Sequence, residues 1–139
     1  MNCANGACYG ESLLIDTHPL LWWFNRHLGS LSVVAGDAIA EAQAPVFVSS
    51  VRAFEIPTKN AIGKLRGVDL LLASFEHRIA AEGFLPLPVE MRHALAVAAL
   101  SLHHRDPFDR LLLAQALVDD LTIVSIDERF DAHSVRHLW

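Results

Sequence analysis

The run Asp106-Pro107-Phe108-Asp109-Arg110-Leu111-Leu112-Leu113-Ala114-Gln115-Ala116-Leu117-Val118 leads, after Asp119 and Asp120, into Leu121-Thr122-Ile123-Val124-Ser125-Ile126-Asp127. Asp106 has the chemistry of a helix N-cap, Pro107 suits the first helical position, and Asp109 falls in the first turn, where the helix dipole favours negative charge. The apolar body that follows carries a helix as far as Val118. Residues 121–125 are then an apolar run of strand length, closed by an acid at Asp127. A capped helix feeding a short buried strand is the building unit of a parallel sheet with helical layers.

Working outward, the same alternation recurs. Residues 12–15 are an apolar run ending at Asp16, and Pro19 opens the helical Leu20-Leu21-Trp22-Trp23-Phe24. Ser32 is placed to cap a second helix through Glu41. Pro45 interrupts the pattern, Val46-Phe47-Val48 reads as a second strand, and Ser49-Ser50 start a helix carrying Phe54, Glu55, Ile56, Lys59, Ile62 and Leu65, ended by Gly67. Residues 70–82 have helical spacing with Gly83 just beyond, residues 84–87 are extended, residues 93–102 form an alanine-rich helix, and residues 135–139 form a last edge strand. The expected fold class is α/β, a central mostly parallel twisted sheet of about five short strands flanked by helices. No repeat, low-complexity tract or linker divides the chain. Residues 12–139 are therefore expected to form one domain, preceded by a disordered or loosely ordered extension over residues 1–11.

Composition narrows the function classes. With 139 residues, 53% hydrophobic and 19% charged, the chain has enough apolar material for a core without a covalent staple, and a disordered composition is excluded. Its mean hydropathy of +0.31 leaves apolar surface to spare for a partner. The longest apolar runs are about half a membrane span and are broken by charge, which argues against a membrane-crossing helix. Residues 1–10 lack the basic start and apolar centre of a secretory signal, so a cytoplasmic location without a membrane partner is expected. Cys3 and Cys8 lack a second pair or a neighbouring histidine, which speaks against both zinc and a disulfide. A net charge of −5 excludes general adhesion to nucleic acid, so any contact with RNA has to be local.

Ligands of such sheets gather outside the carboxyl ends of the strands. Asp16 ends the first strand, Glu55 lies on the helix after the second, Asp109 opens the helix before the fourth, and Asp127 follows that strand. Four carboxylates at one edge repel and raise one another's pKa unless a cation or a basic side chain joins them. Magnesium or manganese suits all-oxygen ligands and retains waters that can attack phosphorus, whereas zinc would call for thiolates or clustered imidazoles. Each acid also has a structural reading. Asp16 is equally compatible with a turn or cap residue, Asp106 is foremost an N-cap and an auxiliary to the site, and Asp109 can both serve the helix dipole and bind metal. Asp119 and Asp120, at the far end of that helix, are expected to be solvated. Arg52, Glu55 and Lys59 share a helix face, so the two cations suit a phosphate backbone or pairing with acids. Arg110 has the same two options. His18, His103 and His104 are candidates for substrate contact or incidental loop residues. Of Trp22 and Trp23, one is expected in the core and the other at an interface.

Asp16 in Leu-Leu-Ile-Asp-Thr-His, Glu55 in Ser-Ser-Val-Arg-Ala-Phe-Glu-Ile, the block His-His-Arg-Asp-Pro-Phe-Asp-Arg-Leu-Leu-Leu-Ala-Gln-Ala from His103, and Thr-Ile-Val-Ser-Ile-Asp-Glu-Arg-Phe from Thr122 together resemble PIN-domain proteins of the VapC toxin type. The likeness spans residues 12–139. It implies a PIN-like fold and a metal-dependent ribonuclease toxin of a bacterial toxin–antitoxin pair. The catalytic set would be Asp16, Glu55, Asp109 and Asp127, with Asp16, Asp109 and Asp127 on Mg2+, or Mn2+ as a substitute. Arg52, Lys59 and Arg110 would touch substrate. The resemblance further implies a homodimer and a cognate antitoxin that docks in a groove and can send a basic side chain into the acidic site. Two residues depart from the family's pattern, which usually has a small residue before the glutamate and an aliphatic helix after it: Arg52 precedes Glu55 and Pro57 follows it. Proline in a helix interior costs about 3 kcal/mol, so a late helix start or a kink near Pro57 is expected.

Other classes fit less well. A phosphate-receiver domain needs a lysine on a late strand, but the lysines are Lys59 and Lys64 on the middle helix. A haloacid-dehalogenase-like phosphatase needs a second aspartate where His18 stands. A flap-type DNA nuclease generally needs additional elements to grip DNA, for which this chain has no room. A catalytically silent PIN domain that binds protein or RNA differs from the active one in metal affinity.

Overall fold

The computed structural model describes residues 3–4, 7–8, 11–26, 28–100 and 106–139. Five strands form one sheet: β1 (Leu13–Ile15), β2 (Val46–Ser49), β3 (Leu85–Leu87), β4 (Thr122–Val124) and β5 (Arg136–Leu138), in the order β3-β2-β1-β4-β5. Every pairing is parallel, with Leu14 opposite Phe47 on one side and Ile123 on the other. Cys3–Ala4 and Ala7–Cys8 pair antiparallel outside this sheet, Cys3 opposite Cys8.

Alternation along the strands divides the core in two. Leu13, Ile15, Val46, Val48 and Val124 face one layer, where they pack with Leu20, Leu21 and Phe24 of α1 (Thr17–Phe24), Ala35, Ala38 and Ile39 of α2 (Val33–Ala40), and Ile56 of α3 (Ser50–Ala61). Leu71 of α4 (Asp69–Ala73) and Ile79 of α5 (Phe75–Ala81) complete that layer. Leu14 and Ile123 face the other, against Leu112, Leu113 and Ala116 of α7 (Pro107–Asp119) and Phe130 of the 3-10 turn Glu128–Ala132. A short α6 (Met91–Ala96) packs beside α7. No helix of the described residues is long and apolar enough to cross a membrane. Both edge strands are brief, and Pro86 lies on edge strand β3, where a missing donor is tolerated.

Several boundaries differ from those expected. The late start of α3 does not occur: Ser49 caps it by accepting from Val51 N at 3.1 Å, and Pro57 lies inside the helix. The helix also ends before Gly67. Gly63, at φ +76°, closes it with Gly63 N–H on Asn60 O at 3.1 Å and Lys64 N–H on Lys59 O at 2.8 Å, the paired pattern of a Schellman stop. Residues 70–82 are two short helices rather than one. Ser74 breaks them at φ −140°, with its hydroxyl donating to Leu70 O at 3.4 Å. The alanine-rich helix α6 tightens to a 3-10 turn at Val97–Ala99 and gives way to extended backbone at Leu100. Asp119, expected in solvent, accepts from buried His93 Nε2 at 2.8 Å and pairs with Arg92, whereas Asp120 is exposed at a left-handed helix end. The helix N-cap at Asp106 is as expected, accepting from Phe108 N at 2.8 Å and Asp109 N at 3.2 Å.

Candidate active site

The strand order reverses between β1 and β4, because the chain builds leftward from β1 through β2 and β3 and then returns to β4. The carboxyl ends of those two strands therefore open onto a crevice. A cleft of about 790 Å³ lies there, lined by Asp16, Glu55, Asp106, Asp109 and Asp127 together with Lys59, Lys64 and Arg129. The sheet thus brings all four sequence-expected acids, and the auxiliary Asp106, to one place.

Asp16 follows β1 directly and is held on three sides. Its Oδ1 accepts from Thr17 N at 2.8 Å, capping α1, and its Oδ2 accepts from Ser125 Oγ at 2.6 Å, just beyond β4. The Arg52 guanidinium stands with Nη2 3.3 Å from Asp16 Oδ1. Glu55, one turn further along α3, has both oxygens occupied. Oε1 accepts from Thr17 Oγ1 at 2.5 Å and from Arg52 Nη1, and Oε2 accepts from Lys59 Nζ at 2.5 Å. Burial works to raise the Glu55 carboxyl, but the Arg52 charge and the bonds from Lys59 and Thr17 outweigh it and hold it below the ordinary value. Lys59 is affected the opposite way. Partial burial opposes its charge, yet the bond to Glu55 and the attraction of Glu55, Asp106 and Asp109 hold the ammonium above its ordinary value.

Asp109 sits in the first turn of α7 and makes no side-chain hydrogen bond or ion pair among the described residues. Its carboxyl is pushed up to about 7, first by burial, then by the charges of Asp16 and Asp106, with Arg52 only partly opposing. Asp127 caps the turn Glu128–Ala132 and gives both oxygens to Arg129, with Nη2 at 2.8 Å from Oδ2. Among the described residues no group of three or more His, Cys, Asp or Glu side chains is arranged to hold a metal ion. The donor set nevertheless suits one hard cation of the kind bound by one or two carboxylates and several waters. Asp16 and Asp109 would be the carboxylates to hold it, both lining the cleft.

The other candidates are placed as follows. Arg52 has no exposed side-chain surface, so it lies beneath the cleft rather than in its wall. Lys59 is in the wall, its ammonium 5.7 Å from the centre of the Phe108 ring. Arg110 donates from Nη2 to the carbonyls of Val97 at 3.0 Å and Leu100 at 3.4 Å, anchoring the segment after α6. His18 is exposed at the cleft, its ring tilted against that of Trp22 with centroids 5.7 Å apart. His103 and His104 lie outside the described residues. Trp23 packs against the core and donates Nε1 to Glu82 Oε2 at 3.0 Å, while the Trp22 ring meets that of Trp139 at a tilt, 5.8 Å between centroids. Thr17, Ser125 and Gln115 escaped the reading of the sequence. Thr17 and Ser125 orient the acids. Gln115 is buried in α7, accepts from Ser49 Oγ at 2.5 Å and donates to the Leu87 and Pro88 carbonyls, joining α7 to β2 and β3. The available signal was position: Thr17 adjoins an acid at a strand end, and Ser125 stands two residues before one.

An α/β domain with an acidic cleft at its switch point is thus defined by geometry. Residues 13–135 match the PIN domain family, and the chain belongs to it. In fold it is similar to a chain of the VapBC2 complex of Rickettsia felis bound to a DNA fragment from their promoter, with a TM-score of 0.67 at 12% identity, covering 91% of this chain and 96% of that one. It is also similar to a chain of a toxin–antitoxin complex from Klebsiella pneumoniae, with a TM-score of 0.55 at 18% identity, covering 88% and 92%. No curated protein matches it in sequence.

Proposed function

We propose that this chain is an endoribonuclease that works with a divalent cation, Mg2+ or Mn2+ as its substitute, and acts as the toxin of a toxin–antitoxin pair. The observation that carries the reading is the gathering of Asp16, Asp109 and three further acids in one cleft at the switch point. When bound, a hard cation there supplies charge neutralisation at the scissile phosphate and an activated water. Asp16 is kept oriented by Ser125 and the Thr17 amide. Lys59, held protonated by its acidic neighbours, offers a positive charge to the phosphodiester, and Lys64 extends that wall. Glu55 acts by fixing Lys59 and Arg52, and Asp127 by fixing Arg129 at the rim.

The acidic cleft also suits an antitoxin's arginine or lysine, which would take the place of the metal. Of the similar structures named above, one is a toxin–antitoxin complex and the other VapBC2 on a promoter fragment, which supports such a partner. Exposed Phe54, Leu70, Met91 and Leu95 provide apolar surface for the antitoxin or for a homodimer. A second reading, a catalytically silent module binding protein or RNA, is favoured by one observation: Glu55 and Asp127 are already saturated by basic side chains.

The test is incubation of partner-free protein with a mixed cellular RNA pool and with single-stranded DNA of similar length, with Mn2+, with Mg2+ and with chelator. Discrete RNA fragments that appear with metal and vanish with chelator are expected, with DNA left intact. Folded protein that cuts neither polymer under any condition would establish the silent reading.

A further inference from the structure

Arg52 is the largest fully buried side chain, and it is a charge. Removing a guanidinium from water is costly unless it is paired, and among the described residues its ion pairs are with acids of the cleft. Nη1 donates to Thr17 Oγ1 at 2.8 Å and to Glu55 Oε1, and Nη2 faces Asp16 Oδ1 at 3.3 Å without hydrogen-bond geometry. Nε and Nη2 make no hydrogen bond among the described residues. What the guanidinium does achieve is electrostatic. It bridges Glu55 and Asp16 and places a positive charge beneath the acidic cleft. With Lys59 on the other oxygen, Glu55 has a cation on each side.

We propose that Arg52 is a built-in counter-cation, a positioning residue that lies beneath the cleft between Glu55 and Asp16 and keeps divalent metal off Glu55, leaving it to Asp16 and Asp109. The inference rests on the metal-dependent reading above. Glu55 then contributes by anchoring Arg52 and Lys59 and not as a metal ligand. The cleft takes up a single divalent cation per chain, since a second would have to displace a buried charge that has no solvent to move into.

The test is Mn2+ binding to the partner-free protein, read by equilibrium dialysis and by the electron paramagnetic resonance of free Mn2+, with thermal unfolding recorded alongside. Wild type is expected to bind a single Mn2+ per chain. Arg52→Met leaves Glu55 short of one counter-charge, so it is expected to bind a second Mn2+ or to bind the first about tenfold more tightly. It should also gain more thermal stability from Mn2+ than wild type does. Should Arg52→Met fail to fold, the double variant Arg52→Met with Glu55→Gln removes both buried charges together, and it is expected to fold and retain one Mn2+ at close to wild-type affinity. Arg52→Met that matches wild type in stoichiometry and affinity would overturn the proposal, as would loss of Mn2+ from the double variant, which would make Glu55 a ligand. Wild type that binds no Mn2+ contradicts the metal-dependent reading, and in that case Arg52→Met that does bind still upholds the role of Arg52.

Discussion

Asp109 meets the charges of Asp16, Asp106 and Glu55 at a largely buried position, so its carboxyl titrates at about 7 where an ordinary aspartate titrates at 3.8. Because the folded value is raised, the contribution to stability is complete below the unfolded pKa and is lost as pH rises through the folded one. A shift of this size corresponds to about 4 kcal/mol, and solvent screening in the open cleft reduces it to about 1–2 kcal/mol. Asp109→Asn is accordingly expected to stabilise the metal-free protein by that amount near pH 8, with the gain shrinking toward pH 4. Urea unfolding in chelator at both pH values checks it, and an equal effect at both would contradict the assignment. Thr17→Val should cost about 2–3 kcal/mol, since it strips a partner from both Arg52 and Glu55 in a buried setting, and the same unfolding measurement reads it. At this scale the acids were legible because each follows a strand or opens a helix. Thr17 and Ser125 were not, because a hydroxyl's role depends on which side chain the fold brings opposite it, over 38 and 109 residues of separation.

Helix α3 runs unbroken from Ser50 to Ala61 although Pro57 removes a donor from its interior. The Ala53 carbonyl is left without its usual backbone partner, and the packing of Ile56 and the ties of Glu55 to α1 hold the helix together regardless. Replacement of Pro57 by alanine restores that bond and should stabilise the protein by about 1–2 kcal/mol in chemical unfolding, whereas a loss of stability would mean that proline is matched to its site. Gln115→Ala is expected to cost about 2–4 kcal/mol, because it orphans Ser49 and two carbonyls and leaves a cavity in α7. Helix starts were readable, since Ser32, Ser49 and Asp106 carry their signal in one side chain. Helix ends were less so. Gly63 and Gly67 both adopt positive φ, and only the backbone bonds to Lys59 and Asn60 show that Gly63 is the stop. The break at Ser74 likewise lies within a pattern whose apolar spacing continues through it.

Across the whole molecule, the alternation of short apolar runs with helices was enough to foretell a mostly parallel sheet of about five strands between helical layers, and all five strands prove parallel. The order of those strands was not written in any local pattern, and it is the order that turns four scattered acids into one cleft. Nor did sequence show how far basic residues fill that cleft. Arg52 and Lys59 looked equally available to a phosphate backbone, yet one is buried beneath the acids and the other lies in the wall, because their helix meets the cleft along one edge. In the proposed division of labour, Asp16 and Asp109 are the pair that would receive a cation. The measurement that bears most directly on this is the Mn2+-dependent rate of RNA cleavage by Asp16→Asn and Asp109→Asn beside wild type, each first shown to be folded. A fall of about 100-fold or more is expected for both, with Asp109→Asn inactive even though it is the more stable protein. Cleavage at the wild-type rate by either variant would contradict the central role given to this pair.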